Sequence, residues 1–287
     1  MKKRLTKIQK EELIKLYQSG KYTCRDLGKA FNMSGVAVQG LLKRRGIART
    51  AQTYLQRKYK INENYFDEID SEEKAYFLGF LYADGYNNTD RHTVTLSLQE
   101  KDVEILIRLK ELLGYEKPLS KIKLNMYNKN RSDQYRLTIH NKRISEKLDS
   151  FGCIKNKTYT LSYPSFLSEN LHRHFIRGYC DGDGWIGKRS VSITSSKTFC
   201  QDLKVLITKT LSINTYNRRP HPHTNENIES LEISGELKCR KFLFWLYNDC
   251  TISLKRKYER YIDLITCEID PFINRSWKKS FKNNLPN

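Results

Sequence analysis

Phe77-Leu78-Gly79-Phe80-Leu81-Tyr82-Ala83-Asp84-Gly85 and Ile176-Arg177-Gly178-Tyr179-Cys180-Asp181-Gly182-Asp183-Gly184 obey one grammar, apolar-x-Gly-x-x-x-small-Asp-Gly. In each, the two small residues stand four apart, so on a helix they stack on one face. Glycine costs about 1 kcal/mol against alanine inside a helix. Its use here makes sense if another backbone must approach closer than the roughly 8–10 Å of ordinary helix packing. The last glycine of each segment, Gly85 or Gly184, suits a left-handed residue ending the helix. Asp84 and Asp183 then sit in the last turn, where the helix dipole disfavours an anion by about 0.3–1 kcal/mol. Packed side by side, the two helices bring these acids together. At about 5 Å and an effective dielectric near 20, their repulsion is about 3 kcal/mol. Acids placed so badly for stability imply a divalent cation between them.

The flanks repeat as well. Asp84 and Asp183 are 99 residues apart, and the alternating strands Thr93–Ser97 and Ser190–Thr194 follow at a similar offset. Each leads through Lys101 or Lys197 into a helix (Val103–Leu113; Phe199–Leu211), then into hairpins ending at Tyr135–Ile139 and Ser230–Ile233. A further helix follows (Lys142–Phe151; Leu237–Asn248), then a Lys-x-Lys pair, Lys155/Lys157 and Lys255/Lys257. Landmarks at a constant offset mean two copies of one unit. The fold class is α+β: two pseudo-symmetric αββαββα halves, with the motif helices at their interface. The expected bounds are 70–157 and 158–270, with 158–168 as connector. Asp70 and Glu73 form a capping box that opens the first motif helix.

With 52 Lys+Arg against 32 Asp+Glu and a formal net charge of +20, the 287-residue chain calls for a polyanionic partner, nucleic acid before membrane. Seven cysteines with no C-x-x-C pair fit free thiols in a reducing compartment, not a disulfide frame or zinc ribbon. No signal peptide is visible, and the apolar run Ala75–Ala83 is far short of the ~20 residues that span a bilayer. A soluble, intracellular, monomeric protein is expected.

Residues 1–48 read as a small all-α module. Tyr22 to Ser34 resembles a helix-turn-helix, with Thr23 and Ser34 as caps. A third helix from Gly35 to Arg45 would enter the DNA major groove. Its candidate contacts are Gln39, Lys43 and Arg44, with Arg25 on the helix before. Residues 49–69 read as an extended linker and 271–287 as a basic tail.

The paired nonapeptides resemble the LAGLIDADG motif of homing endonucleases, in the double-motif single-chain form, over about residues 70 to 265. The resemblance implies site-specific double-strand DNA cleavage across the minor groove, leaving short 3′ overhangs, and the mobility of an intron or intein. It also implies a basic catalytic residue in each half, at Lys155 and Lys255, with Lys157 and Lys257 as neighbouring alternatives. A polar water-holding residue falls on Glu100 and Ser196. The chemistry of the residues themselves points the same way. Asp84 and Asp183 are hard oxygen ligands for Mg²⁺, or another divalent cation such as Mn²⁺, and main-chain carbonyls at Ala83 and Gly182 complete the shell. Asp181 faces Tyr82 in the repeat, an asymmetry that marks it as structural. Gly79, Ala83, Gly178 and Gly182 line the helix contact.

Base reading falls to the strands, since a two-stranded ribbon fits the major groove. The candidates are Lys121, Lys123, Asn125, Arg131 and Arg136, then Arg218, Arg219, His221, His223 and Asn225. His221/His223 and His172/His174 lack companions at zinc spacing. An RNA maturase and a non-cleaving DNA-binding regulator stand as alternatives on the same fold.

Overall fold

The computed structural model describes residues 5–19, 22–47, 59–123, 132–155, 157–221 and 225–268. Two units emerge: one of Met1–Asn62 with Lys110–Pro118, the other of Glu63–Leu109 with Leu119–Asn287.

In the first unit, α1 (Lys7–Gln18), α2 (Cys24–Ala30) and α3 (Gly35–Arg44) each begin at a hydroxyl cap, Thr6, Thr23 and Ser34. Thr6 with Gln9 and Thr23 with Asp26 form full capping boxes. Leu13, Tyr17, Leu27, Val38, Leu41 and Leu42 make the core. The α2–α3 turn is tight: a Cβ on Gly28 would lie 2.7 Å from the Met33 carbonyl oxygen, and Asn32 takes φ 53°.

The second unit starts earlier than an extended linker ending at 69 allows. Residues 63–66 form a turn, Phe66 is fully buried, and Arg143 pairs with Asp67 at 2.5 Å. Helix α4 (Glu72–Asp84) is capped by Ser71, whose side chain accepts from the Lys74 amide. The expected Asp70/Glu73 box does not form. Asp70 pairs with Lys74 at 2.8 Å instead, because the helix begins one residue later.

Then follow β1 (Tyr86–Asn88), β2 (Thr93–Gln99), α5 (Val103–Leu112), β3 (Ser120–Ile122), β4 (Gln134–His140) and α6 (Lys142–Ser150). The second half repeats the order with α7 (His172–Asp183), β5 (Gly184–Ile186), β6 (Ser190–Ser196), α8 (Lys197–Leu211), β7 (Tyr216–Arg218), β8 (Ile228–Ser234) and α9 (Glu236–Tyr247). Both sheets are antiparallel, ordered β1-β2-β4-β3 and β5-β6-β8-β7. Thr93 pairs with His140 through to Gln99 with Gln134; Ser190 pairs with Ser234 through to Ser196 with Ile228. One face of each sheet supplies core: Val94, Leu96, Leu137 and Ile139 in one half, Val191, Ile193, Leu231 and Ile233 in the other. The two αββαββα halves are as expected.

One element breaks the repeat. The second half adds α10 (Lys255–Thr266), where the described residues of the first half form a 3₁₀ turn over Lys157–Tyr159. Among the described residues, no helix is long and apolar enough to cross a membrane.

Candidate active site

The close approach implied by the small residues is present between α4 and α7. A Cβ on Gly79 would overlap the Phe175 carbonyl and lie 2.9 Å from the Tyr179 amide nitrogen. One on Gly178 would overlap the Tyr76 carbonyl and lie 3.0 Å from the Phe80 amide nitrogen. Farther along, a Cβ on Gly182 would overlap that of Ala83 and stand 3.3 Å from Asp84 Oδ2. The four expected interface residues therefore line the contact, which carries Asp84 to the end of α7 and its acid, Asp183.

The terminal glycines depart from expectation. Gly85 (φ −76°, ψ 145°) and Gly184 (φ −75°, ψ 150°) are extended, not left-handed. Each runs straight into a strand, and glycine is needed for space: a Cβ on Gly85 would lie 2.5 Å from the Leu81 carbonyl oxygen, and on Gly184 2.7 Å from that of Cys180.

Both acids are solvent-accessible, yet they sit among enough protein for the charged form to be poorly hydrated. This burial, then repulsion from Asp183, pushes Asp84 up to about 6; Lys257 and Lys157 oppose the shift. Burial raises Asp183 too, against the same two lysines. A cleft of about 340 Å³ opens beside Asp183, lined by Lys157, Tyr159, Tyr179, Thr194 and Asn225 among others.

The lysines brought to the acids are thus Lys157 and Lys257. Lys157 Nζ donates to the Gly85 carbonyl; Lys257 Nζ donates to the carbonyls of Cys180 and Gly184. Lys257 is 6% exposed, and burial lowers its pKa while Asp181 works the other way. The expected catalytic positions, Lys155 and Lys255, lie elsewhere. Lys155 forms an exposed pair with Asp90 at 3.2 Å. Lys255 is exposed at the start of α10, in a separate cleft with Lys101 and Arg108. Two positions farther along each segment, the lysine side chain reaches the carbonyl of the glycine that ends the helix.

Asp181 is structural, as its asymmetry implied: fully buried, it accepts from Tyr76 Oη (2.7 Å), Tyr247 Oη (2.6 Å) and the Leu254 amide (2.6 Å). Its counterpart Tyr82 donates to the Phe151 carbonyl. Glu100 accepts from Lys121 at 2.9 Å, and Ser196 caps α8 through the Phe199 amide at 3.1 Å. Neither of these bonds is made to the acid pair. The buried Arg177 is a residue sequence reasoning passed over. It reaches the Ile252 and Leu246 carbonyls and pairs with Glu72 at 2.6 Å, tying α7 to the start of α4.

Arg25, Gln39, Lys43 and Arg44 are all exposed. Arg136 lies on the open face of its sheet, donating to Ser97 at 2.9 Å, and Arg218 on that of the other, paired with Glu232 at 2.7 Å. Lys121 shares the core-side face with Leu98 and Tyr135 and is held by Glu100 and Asp133. Lys123, Arg219, His221 and Asn225 are exposed in loops. Asn125, Arg131 and His223 lie outside the described residues. Exposed aromatics on the open faces, Tyr86 in one half and Trp185 and Tyr216 in the other, went unread. The signal was there: Tyr86 and Trp185 each follow the last glycine of a motif.

Among the described residues, no group of three or more His, Cys, Asp or Glu side chains is placed to hold a metal. The pair Asp84/Asp183, with main-chain carbonyls beside it, nonetheless fits a hard divalent ion, which is often bound by one or two carboxylates with waters and substrate phosphate.

A repeated fold joined through two acid-ending helices defines a class. The chain belongs to the LAGLIDADG-like domain family, whose model matches residues 71–150 and 170–244, one block per half. The replication factor C small subunit of Methanocaldococcus jannaschii is 26% identical over 206 residues, 71% of this chain and 11% of that protein's length. Full-length DUF199/WhiA from Thermatoga maritima is similar at TM-score 0.43 and 18% identity, covering 77% of this chain and 70% of that one. The homing endonuclease I-WcaI bound to its DNA recognition sequence gives 0.43 at 13% identity, covering 76% and 90%. I-DmoI in complex with DNA and Ca gives 0.48 at 12% identity, covering 70% and 99%.

Proposed function

We propose that this chain is a site-specific, divalent-metal-dependent DNA endonuclease that acts as a monomer. The observation that carries the reading is the meeting of Asp84 and Asp183 at the ends of two abutting helices, with Lys157 and Lys257 at their carbonyls. Nothing in the packing needs two mutually repelling acids there, whereas a cation between them turns the repulsion into binding.

A divalent ion in that position, Mg²⁺ or Mn²⁺, supplies water activation and charge neutralisation on a phosphodiester. Asp84 and Asp183 hold it, with the carbonyls of Ala83 and Gly182 beside them. Lys157 and Lys257 add fixed positive charge where negative charge builds on a phosphate. The pseudo-twofold of the halves matches that of duplex DNA, offering one half-site to each strand. The open strand faces carry Arg136, Arg218, Tyr86, Trp185 and Tyr216 toward the duplex. Residues 1–48 act as a separate helix-turn-helix arm that lengthens the target.

The test is incubation of the full chain with a randomised duplex library in Mg²⁺ and, in parallel, with chelator. Metal-dependent double-strand ends at one recurring sequence are expected. Tight binding without ends favours a regulator, and selective binding of structured RNA favours a maturase.

A further inference from the structure

The lysines at the acid pair are equivalent in the repeat, yet they are held by unrelated buried contacts. Cys153, shortly before Lys157, offers its carbonyl to Asn87 Nδ2 at 2.9 Å. The same amide group donates to the Ser145 carbonyl at 2.9 Å, while Asn87 Oδ1 accepts from the Ser145 hydroxyl at 2.7 Å. Asn87 is fully buried, so these bonds satisfy its amide and fix α6 and residue 153 against β1.

In the other half Asn87's place is taken by Ile186, an apolar residue with no such reach. There the task passes to Asp181, whose carboxylate binds the Leu254 amide and two tyrosine hydroxyls. Leu254 is the cap residue of α10, with no side-chain cap of its own, and Lys257 lies in the first turn. Asp181 therefore fixes the origin of the helix that carries the second lysine. A neutral amide serves one half and a buried carboxylate the other.

We propose that Asn87 and Asp181 are positioning residues, each fixing the lysine of its own half at the acid pair, so that the two half-sites can be loosened independently. The consequence for cutting rests on the nuclease reading above; the consequence for local rigidity does not.

Two measurements on the full chain test this: hydrogen–deuterium exchange, and strand-resolved cleavage of a supercoiled plasmid bearing the recovered target, in Mg²⁺. Asn87→Ala should raise exchange across 151–161 and leave 251–258 at wild-type protection; Asp181→Ala should do the reverse. Each should slow one strand, on the order of a hundredfold for a displaced group, so nicked circles accumulate with opposite strands cut in the two variants. Asp181→Asn, whose amide oxygen still accepts from Leu254, should return that strand to within a few-fold of wild type. If both alanine variants loosen both segments, or slow both strands alike, the proposal is overturned. A wild type that cuts no DNA contradicts the nuclease reading, and exchange alone then decides the clamps. Should an alanine variant fail to fold, Ser145→Ala and Tyr247→Phe each delete one donor and must show the same segment selectivity; equal loosening in both segments overturns the proposal.

Discussion

Gly79 and Gly178 are reciprocal holes in the contact between α4 and α7: each receives the backbone of the other's helix, a carbonyl oxygen where its own Cβ would stand. Because the intruding atoms are backbone, the helices cannot make room by turning a side chain. The contact that joins the halves is thus set by the absence of two methyl groups, and it is this contact that delivers Asp84 to Asp183.

Gly178→Ala therefore destabilises despite the better helix propensity of alanine, worth about 1 kcal/mol. Overpacking against backbone costs about 1–3 kcal/mol or more. A net loss of about 1 kcal/mol lowers Tm by roughly 2–4 °C in a domain of this size. Thermal melting beside the exposed control Lys188→Ala checks this. Equal Tm values would mean that the helices do not pack at Gly178.

The lysine assignment separates cleanly. Lys157→Ala and Lys257→Ala should each cut DNA at least tenfold more slowly than wild type, having lost a cation at the acids. Lys155→Ala breaks only an exposed pair with Asp90, worth about 0–1 kcal/mol, and should cut normally. Cleavage rates on one target decide. A Lys155→Ala variant slower than Lys157→Ala reverses the assignment.

His174 gives the fold a measurable pH response. Burial, with Arg177 beside it, holds its pKa down to about 4 against an ordinary 6.5; Glu72, with Glu73 behind it, pulls the other way, and Arg173 adds to the lowering. A depressed folded-state pKa favours the neutral ring in the folded chain. This contribution is complete above pH 6.5 and is lost as pH falls toward 4. Relative to His174→Gln, wild type should lose Tm between pH 7 and pH 4.5. A constant difference across that range would show that the ring is not held neutral by the fold.

If the N-terminal helices read DNA, their exposed cations set part of the salt dependence. Replacing Arg25, Lys43 or Arg44 with alanine takes a cation away from a phosphate. Each such replacement should flatten the log–log slope of binding against salt by about 0.9. Filter binding from low to moderate salt measures it. Unchanged slopes in all three variants would remove the arm from the DNA interface.

The joined helices were legible because their signal is local: two small residues four apart, followed by an acid, twice. The sheets were legible through period-two alternation at Val94–Leu96 and Val191–Ile193. Which lysine meets the acids was not. Lys155 and Lys157 stand two residues apart, and what separates them is a pair of contacts far away in sequence, Lys157 to the Gly85 carbonyl and Lys155 to Asp90. Helix α10 was missed for the same reason: its first turn lacks a side-chain cap, and its leading amide is held by Asp181 from the other end of the half. The caps at Thr23 and Ser34 could be read because their partners lie three residues on.

The central claim is that Asp84 and Asp183 exist to hold a divalent ion for strand cleavage. The most direct measurement pairs cutting with binding for Asp84→Asn and Asp183→Asn on the recovered target in Mg²⁺, with Tm followed in chelator at pH 8. Each variant should bind DNA like wild type, cut neither strand detectably, and melt higher than wild type in chelator, since the repulsion between the acids is gone. A single asparagine variant that cuts both strands at the wild-type rate would contradict the account.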